Sequence, residues 1–492
     1  MQKTEKINIK WFYIITVAFL LLNLFFIARE NYLFNIVPLG FLIILFAVFA
    51  MDRLLLLVVF LTPLSVPLRE FIPRIPYDMA LPTEPLIFGL MLLFFFKLLT
   101  EKKLDRKIAL HPVSVMIYIN LAWLLITSFT STLPFISVKY FLSRIWFVVV
   151  FYFLATQLFR NYKNMDRYVW AYMIPMLAVI AFTLTKLSAY GFFNQKAAHF
   201  MMNPIFNDHT SYAAVLAMFF PLLVGYIFSS AYKSWKKIAA ISVLGIFIIA
   251  MIFSYTRASW VSLLVALLFW ILLKAKVKLK YIFVSVFILV GLFFVFKTEI
   301  LMKLEKNRQD SSTNLKEHVQ SISNVTSDAS NVERLNRWSC AFRMFSEKPF
   351  FGWGPGTYQF QYAPFQLSYE KTIISTNAGD RGNAHSEYIG PLAESGVLGL
   401  ITFLTILLYT LYTGVKVYRR AESKQTRMMA MMLVLGLTTY YVHGFLNNFL
   451  DTDKASALFW GFTAMIVALD VYHSKSDSQD LAQSKAVSER SL

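Results

Sequence analysis

A histidine and several arginines lie in polar segments beside apolar runs, and these residue types suit chemistry on a charged substrate. His385 lies in NAHSEYIGPLAESGVLGL, where a polar loop passes into an apolar run. The unperturbed pKa of an imidazole is about 6.5, so its neutral form can accept a proton near neutral pH. Arg257, in FSYTRASW, offers a permanent charge and a planar fork of donors that suits phosphate. A lone arginine in a short turn can equally reach lipid headgroups, and a loop histidine can be inert.

Two further arginines lie in a segment with helical periodicity, NVERLNRWSCAFRMFSEKP. Its apolar residues recur at intervals of three and four: Val332, Leu335, Trp338, Phe342 and Phe345. This spacing predicts an amphipathic helix that ends before Pro349. Arg334 and Arg337 recur on a neighbouring face, so both guanidinium groups can point the same way.

The next segment, FFGWGPGTY, is rich in glycine. Gly352, Gly354 and Gly356 permit positive φ angles and close approach of backbone to a neighbour or a ligand. Their spacing is not a dinucleotide fingerprint, because no strand precedes them and no helix pattern follows. The segment is either a tight turn after a helix or part of a binding site, where Trp353 and Tyr358 would stack on a sugar ring.

The composition indicates a polytopic, all-α membrane protein. The 492 residues are 57% hydrophobic and 15% charged, whereas soluble domains carry about 25% charged residues. The net charge of +19 is concentrated in short segments between apolar runs, as orientation signals require, so we do not expect nucleic acid as a partner. The single cysteine, Cys340, excludes an intrachain disulfide and a CxxC site.

The apolar runs predict fourteen transmembrane helices, although twelve would also fit the pattern. They lie near 11–28, 33–50, 54–67, 80–97, 112–131, 138–158, 168–189, 211–229, 238–254, 258–273, 280–297, 392–415, 428–446 and 455–472. The predicted regions are therefore eleven helices within 1–297, a large extracytoplasmic loop with short helices at 298–391, three helices within 392–472, and a disordered cytoplasmic tail at 473–492.

The basic clusters predict the orientation. With the N-terminus inside, all the dense short basic segments fall in the cytoplasm: Lys97 to Lys107, Arg160 to Arg167, Lys233 to Lys237, Lys274 to Lys280 and Lys416 to Arg427. Both termini are then cytoplasmic, and the segment that contains His385 lies outside.

Further polar residues lie near the predicted outer face, where charges at membrane depth are costly and usually functional. They are Lys139, Arg144, Asp208 and His209, while Glu387 or Tyr388 would be placed to orient His385. The histidines form no HxH or HExxH pattern, and no DxD lies in a predicted outer loop. We therefore predict no metal and no other cofactor.

Three motifs in the chain resemble those of the O-antigen ligase and polymerase superfamily. YTRASW is similar to its short outer turn with a central arginine, here Arg257. ERLNRWSCAFRMFSEKPFFGWGPGTY is similar to its loop pattern of arginine, tryptophan, proline and glycine-rich turn; Arg334 is the better match, with Arg337 close behind. The third motif is His385 and Ser386, nine residues, Gly396 and Gly399. It departs from ligases at the next residue, Leu400, where glycine, threonine or tyrosine is usual.

The resemblance implies a membrane glycosyltransferase whose donor is an undecaprenyl-diphosphate-linked glycan. His385, Arg257 and Arg334 would be catalytic, with His385 acting as a general base or only as a hydrogen-bonding group. The glycines, including Gly396 and Gly399, would be structural. The predicted substrate-binding residues are Arg337, Lys139, Arg144, Glu387, Tyr388 and Trp353.

The resemblance also implies a bacterial inner membrane protein, in contact with membrane lipids, whose site faces the periplasm. Ligase, polymerase and protein O-glycosyltransferase share these motifs, so the acceptor is a growing glycan, lipid A core or a protein hydroxyl. A lipid-linked oligosaccharide flippase and a solute transporter are the alternatives from another class. A flippase has no use for a large outer loop, and charges deep within several spans would favour transport.

Overall fold

The computed structural model describes residues 9–30, 34, 50–72, 79–101, 104–229, 232–281, 284, 285, 288, 329–368, 371 and 382–474. These residues are almost entirely helical, with one short hairpin, which confirms the predicted all-α class. The chain divides into two compact units, Met1–Leu57 and Val58–Leu492. The first contains helix α1, Ile9–Ala28, and the site described below lies within the second.

After α1, the elements follow in chain order. They are α2 Met51–Leu61, β1 Val66–Pro67, β2 Ala80–Leu81, α3 Thr83–Glu101, α4 Arg106–Ala109, α5 Pro112–Phe129, α6 Pro134–Leu158, α7 Lys163–Ser188, α8 Gln195–Ala198, α9 His209–Phe228, α10 Ser234–Phe253, α11 Arg257–Lys274, α12 Ala329–Glu347, α13 Tyr358–Gln361, α14 Ile389–Arg420, α15 Lys424–His443 and α16 Asp453–Tyr472. The two strands pair antiparallel, with Val66 opposite Leu81. Single 3₁₀ turns are formed by Thr62–Leu64, Leu68–Glu70 and Ala363–Phe365.

Within the described residues, nine helices are long and apolar enough to cross a membrane, so the chain is a multi-pass membrane protein. They are α3, α5, α6, α7, α9, α10, α11, α14 and α16. The predicted count of fourteen is not confirmed. Most of the predicted spans 33–50 and 280–297 lies outside the described residues, as do most of the tail and residues 298–328, 369, 370 and 372–381 of the predicted outer loop.

The predicted span at 54–67 does not form one continuous helix. Helix α2 ends at Leu61, and the chain continues as a 3₁₀ turn and the first strand of the hairpin. Pro63 and Pro67 explain the break, because proline cannot donate a ladder hydrogen bond and disfavours helical geometry in the residue before it.

A buried polar cluster attaches this hairpin region to the start of α16. The Ser65 hydroxyl donates to Asp453 Oδ2 at 2.6 Å, and Thr83 Oγ1 donates to the same oxygen at 2.5 Å. The ammonium group of Lys454 donates to Ser65 Oγ at 2.6 Å. Each polar group therefore has a partner, as burial away from water requires.

Helices α15 and α16 lie at the centre of the bundle. Most side chains of both are buried against neighbouring helices rather than exposed on the outer surface. Tyr168 and Tyr172 of α7 donate hydrogen bonds to the carbonyl oxygens of Ala457 and Lys454 in α16, at 2.7 and 3.0 Å. Because α15 is enclosed by protein, it tolerates polar residues such as Thr438 and Thr439, and it is less hydrophobic than the nine helices above.

The antiparallel helices give the second unit two polar ends. We call one the loop end, formed by the described residues of 129–134, 188–209, 253–257, 382–389 and 443–453. The other, the basic end, is formed by those of 101–112, 158–163, 228–234, 274–281, 420–424 and 472–474. The described residues of all five basic clusters lie at or beside the basic end. That this end faces the cytoplasm stays a prediction.

Candidate functional site

The glycine-rich turn and a kink in α14 form one joint at the loop end. Gly396 has φ +68° and ψ −170°, which interrupts the helix about two turns after it starts. The backbone N–H of Gly354 donates to Glu394 O at 2.7 Å, and that of Val397 donates to Pro349 O at 2.9 Å. A side chain at Gly396 would overlap the Phe350 carbonyl. The glycines therefore allow two backbones to meet directly, which fixes the segment 349–358 on α14.

Trp353 belongs to this joint. Its indole N–H donates to Met344 O at 2.9 Å, its ring lies under the Lys348 ammonium group at 4.3 Å, and it meets Phe365 edge-on. Tyr358 stacks on Tyr362. These intramolecular contacts give both rings a structural role, and the stacking of Trp353 on a sugar stays a prediction.

The joint positions helix α12 and its arginines. Arg337 Nε donates to Glu333 Oε1 at 2.7 Å, and both side chains are buried. The guanidinium group of Arg337 also lies 4.0 Å from the centroid of the Tyr362 ring. Its Nη1 atom has no hydrogen-bond partner among the described residues and faces Gly382, at the start of the segment that carries His385.

His385 lies just before the first turn of α14 in an uncommon backbone conformation. Its φ is +47°, a value that histidine adopts more readily than most non-glycine residues. Its backbone N–H donates to Asn383 Oδ1 at 3.0 Å. The next residue, Ser386, accepts hydrogen bonds from the N–H groups of Tyr388 and Ile389, both at 3.3 Å. The loop and the helix start thus hold His385 in place, at a conformational cost of about 1–3 kcal/mol.

The surroundings keep His385 neutral. Burial, followed by the positive charges of Arg334 and Arg337, lowers the pKa of His385 to about 4, while Asp208 and Glu333 oppose the shift. The imidazole is therefore unprotonated at neutral pH, although it is a weaker base than an unperturbed histidine. A bound anion would counter the arginine charges and raise the pKa again.

Arg334 and Asp208 act electrostatically on three histidines, not on His385 alone. The other two are His209, at the start of α9, and His443, at the end of α15. We call Asp208, His209, Arg334, His385 and His443 the imidazole cluster. Its members come from four separate segments of the chain, so only the tertiary fold assembles it.

His443 is a site residue that sequence reasoning missed. It is fully buried, with Nδ1 3.4 Å from Ser259 Oγ and Nε2 3.1 Å from Asn447 Nδ2. His209, which the sequence placed near the outer face, stacks on His199 with ring centroids 3.9 Å apart. The signal for His443 in the sequence was weak: a histidine at the end of an apolar helix, followed by the pair Asn447 and Asn448.

Arg257 is the first residue of α11 and lies at the same end. On one side of it, Thr256 Oγ1 donates to the backbone oxygen of His209 at 3.1 Å. On the other side, Ser259 contacts His443. The N-terminus of a helix favours anions, so its partial charge adds to that of the Arg257 guanidinium group. All three sequence motifs thus meet at the loop end.

Glu387, Arg144 and Tyr388 have partners other than His385. Glu387 Oε1 accepts hydrogen bonds from Tyr440 Oη and from the N–H groups of Phe449 and Leu450, at 2.7 to 2.8 Å. Burial raises the pKa of Glu387, and the nearby Arg144 opposes that shift. These contacts hold the segment 444–452 in place.

Arg144 supports the same segment, and Tyr388 contacts the end of α15. Arg144 Nη1 donates to Leu450 O at 3.3 Å and Nη2 donates to Tyr140 Oη at 2.6 Å. Tyr388 Oη donates to Tyr441 O at 2.7 Å. Lys139, the remaining predicted substrate-binding residue, is exposed on α6. The structure therefore brings Arg334, Arg337 and His385 together. It places Arg257 beside two residues that contact the imidazole cluster. Arg144, Glu387 and Tyr388 make contacts that support the surrounding structure.

Within the part of the chain that the structure describes, no group of three or more His, Cys, Asp or Glu side chains is arranged to hold a metal ion.

Comparison with known proteins agrees with the motifs. Residues 241–404 match the family model described as O-antigen ligase, and this stretch contains all three motifs. No curated protein matches the chain. The match confirms the resemblance seen in the motifs and supports the O-antigen ligase superfamily over the matched stretch.

Proposed function

We propose that the chain transfers a glycan from an undecaprenyl-diphosphate carrier to an acceptor hydroxyl at the imidazole cluster. The observation that carries this proposal is the meeting of a neutral histidine, His385, with the fixed positive charge of Arg334. The activity is that of an O-antigen ligase or a surface polysaccharide polymerase, and the acceptor is lipid A core or a growing glycan. Protein O-glycosylation is the third form of the same reaction.

In this reaction the acceptor oxygen bonds to the anomeric carbon of the donor as the bond from that carbon to the diphosphate breaks. The carrier leaves as the polyprenyl diphosphate, with the electron pair of the broken bond. The acceptor proton passes to the neutral imidazole of His385, a step worth about 10²–10⁴-fold in rate. No metal is required, because arginine side chains compensate the charge of the diphosphate.

Donor binding would make His385 a better base. The charge of Arg334 lowers the pKa of the His385 imidazole. A diphosphate held between Arg334 and Arg257 would neutralise that effect, so the imidazole would accept a proton most readily when donor is present. A guanidinium group suits this role because it contacts phosphate bidentately and keeps its charge. Arg337 Nη1, which faces Gly382, is a further donor for the same diphosphate.

We place the protein in a bacterial inner membrane, with the loop end in the periplasm and both termini in the cytoplasm. The concentration of basic clusters at the opposite end supports this orientation. The donor would then reach the site from the outer leaflet.

A transfer assay with purified protein in proteoliposomes tests the proposal. The probe is an undecaprenyl-diphosphate-linked repeat unit, and the readout is release of the carrier together with a new glycosidic bond. We expect transfer by the wild type and by Lys163→Gln, an exposed residue at the basic end, and little or none by Arg257→Ala or His385→Ala. Wild-type turnover in both loop-end variants would refute the site. Movement of intact labelled donor across the bilayer, without transfer, would favour a flippase.

Deletion of the gene, followed by analysis of surface glycans, separates the forms of the reaction. Single unpolymerised repeats would indicate a polymerase, and full-length polymer retained on the lipid carrier would indicate a ligase.

A further inference from the structure

A cavity of about 690 Å³ lies at the basic end, far along the helices from the imidazole cluster. It is bounded by the end of α9, the end of α11, the last turn of α14 and the first turns of α15. The lining residues are Phe228, Ser229, Leu273, Lys274, Lys276, Tyr418, Arg419, Lys424, Gln425, Arg427, Met428 and Met431.

The cavity is strongly positive. Among the residues that the structure describes, its lining contains the cations Lys274, Lys276, Arg419, Lys424 and Arg427, and no carboxylate. Three basic groups elsewhere at this end do have an acidic neighbour: Arg160 pairs with Asp105, Lys236 with Asp166, and Lys416 with Asp470. The cavity thus collects positive charge that the described protein does not neutralise.

Three features hold positive charge around the opening of the cavity. Lys276 follows the end of α11 with φ +57°, and its backbone N–H donates to Leu273 O at 3.1 Å. Glycine is the usual residue at this position after a helix, so the chain places a lysine where a neutral residue is common. Arg419 Nη2 donates to the carbonyl oxygen of Val277 at 2.6 Å, which connects the ends of α14 and α11. The first turn of α15 also begins in the lining, and its N–H groups add a partial positive charge.

The inner wall of the cavity is apolar. Leu273 and Met431 are buried, Met428 is half-buried, and Phe228 is exposed at the rim. Methionine side chains adapt to irregular apolar ligands. The cavity therefore joins a cationic rim to an apolar wall, which is the arrangement that an amphiphile with a negative headgroup requires.

We propose that this cavity binds an anionic phospholipid, with the headgroup phosphate among the lysines and arginines and the glycerol and upper acyl chain against Leu273, Met428 and Met431. Lysine and arginine make strong charge-assisted hydrogen bonds to phosphate, and basic pockets between transmembrane helices bind anionic headgroups. A free phosphate ion shares the headgroup chemistry, but it would leave the apolar wall without a partner. The proposal is independent of the glycan transfer site.

Native mass spectrometry of the full-length protein, released from mixed micelles, tests the proposal. The probes are phosphatidylglycerol, phosphatidylcholine and inorganic phosphate. We expect saturable binding of phosphatidylglycerol to the wild type and at least tenfold weaker binding of phosphatidylcholine. Lys276→Gln/Lys424→Gln/Arg427→Gln should weaken phosphatidylglycerol binding by about fivefold for each charge removed. The matched control is Lys107→Gln/Lys163→Gln/Lys233→Gln, which removes three exposed basic residues of the same end outside the cavity and should bind as the wild type does.

Three outcomes would overturn the proposal. Equal loss of binding in the control variant would mean that the lipid recognises the general charge of the basic end. Displacement of the lipid by millimolar inorganic phosphate would assign the cavity to a soluble anion. Unchanged binding in the triple variant, whose folding is checked by its thermal unfolding curve, would remove the cavity as the site.

Discussion

The two ends of the bundle both carry charged residues, but they use them differently. At the basic end, Arg160 is 53% exposed where it pairs with Asp105. At the loop end, the side chains of Arg337 and Glu333 are only 5% and 7% exposed. Water and salt screen the first kind of charge, whereas a desolvated charge acts strongly on its neighbours. Exposed charge suits orientation and lipid contact, and buried charge suits control of a reacting group.

The imidazole of His385 shows what burial contributes. A histidine among the exposed lysines of the basic end would feel little of their charge, because water screens charges that lie at the surface. At the loop end, burial and two arginines together lower its pKa to about 4. The comparison therefore predicts large effects for substitutions at the loop end and small ones at the basic end.

Replacement of His385 by asparagine should have the largest effect. Asparagine tolerates the φ of +47° and keeps a hydrogen-bonding side chain, but it cannot take up the acceptor proton. We expect glycan transfer to fall by about 10²–10⁴-fold, with normal membrane insertion and thermal unfolding. Transfer within a few-fold of the wild type would show that His385 only makes hydrogen bonds.

Arg334→Gln should lower the transfer rate by about 10²–10³-fold, because a preorganised charge beside the leaving diphosphate is lost. The same change removes a charge that lowers the pKa of His385, so that pKa should rise. The rate is measured in proteoliposomes and the pKa by NMR of the histidine side chain. A lower rate without any change in that pKa would place Arg334 apart from His385.

The pH dependence of the wild type should reflect a neutral imidazole. Burial and the two arginines lower the pKa of His385 to about 4 from 6.5. Titration of His385 should therefore cause no change in kcat/KM between about pH 6 and 8. Its neutral form also contributes to folding stability. That contribution to stability is complete above pH 6.5, the pKa of an unperturbed histidine, and it is lost as the pH falls through about 4, the pKa in the folded protein. A titration of kcat/KM near 6.5 that is absent from His385→Asn would contradict the desolvated environment.

Glu387→Gln should reduce stability rather than chemistry. In the wild type, the Glu387 carboxylate accepts hydrogen bonds from the N–H groups of Phe449 and Leu450. The glutamine amide would face these donors either with its own N–H group or with a carbonyl oxygen, which is a weaker acceptor than a carboxylate. We expect a loss of about 1–3 kcal/mol in the free energy of unfolding, measured in detergent. Glu347→Gln, at the exposed end of α12, is the control and should have no effect. If Glu387→Gln removed transfer without loss of stability, Glu387 would be a catalytic residue.

Arg160→Gln should have the smallest effect. It removes a largely exposed ion pair with Asp105, which is worth less than about 1 kcal/mol. Stability and transfer should both remain close to the wild type in the assays above. If Arg160→Gln lowered the transfer rate as much as Arg334→Gln, the proposed difference between exposed charge at the basic end and buried charge at the loop end would be wrong.

Much of this could be predicted from the sequence. Apolar run length alone predicts the helices, because a segment that crosses lipid must satisfy its own backbone hydrogen bonds. The prediction was wrong at 54–67, where two prolines end the helix early, and the count of fourteen was not confirmed. Arg257, Arg334 and His385 were chosen from motifs, and the structure places all three at one end.

The roles of several other residues required the tertiary structure. Glu387 is two residues from His385, and sequence proximity suggested a direct contact. In the fold its carboxylate instead accepts hydrogen bonds from Phe449 and Leu450, far along the chain. Trp353 likewise meets Met344, Lys348 and Phe365.

The sequence by itself determined the membrane class, the helical architecture and the segregation of basic clusters, because each depends on local composition and length. The tertiary structure alone decided that His443 and Asp208 join Arg334 and His385. It also decided that His385 is half-buried beside Arg334 and Arg337. These properties depend on which distant side chains replace water around a group, and no local pattern in a chain carries that information.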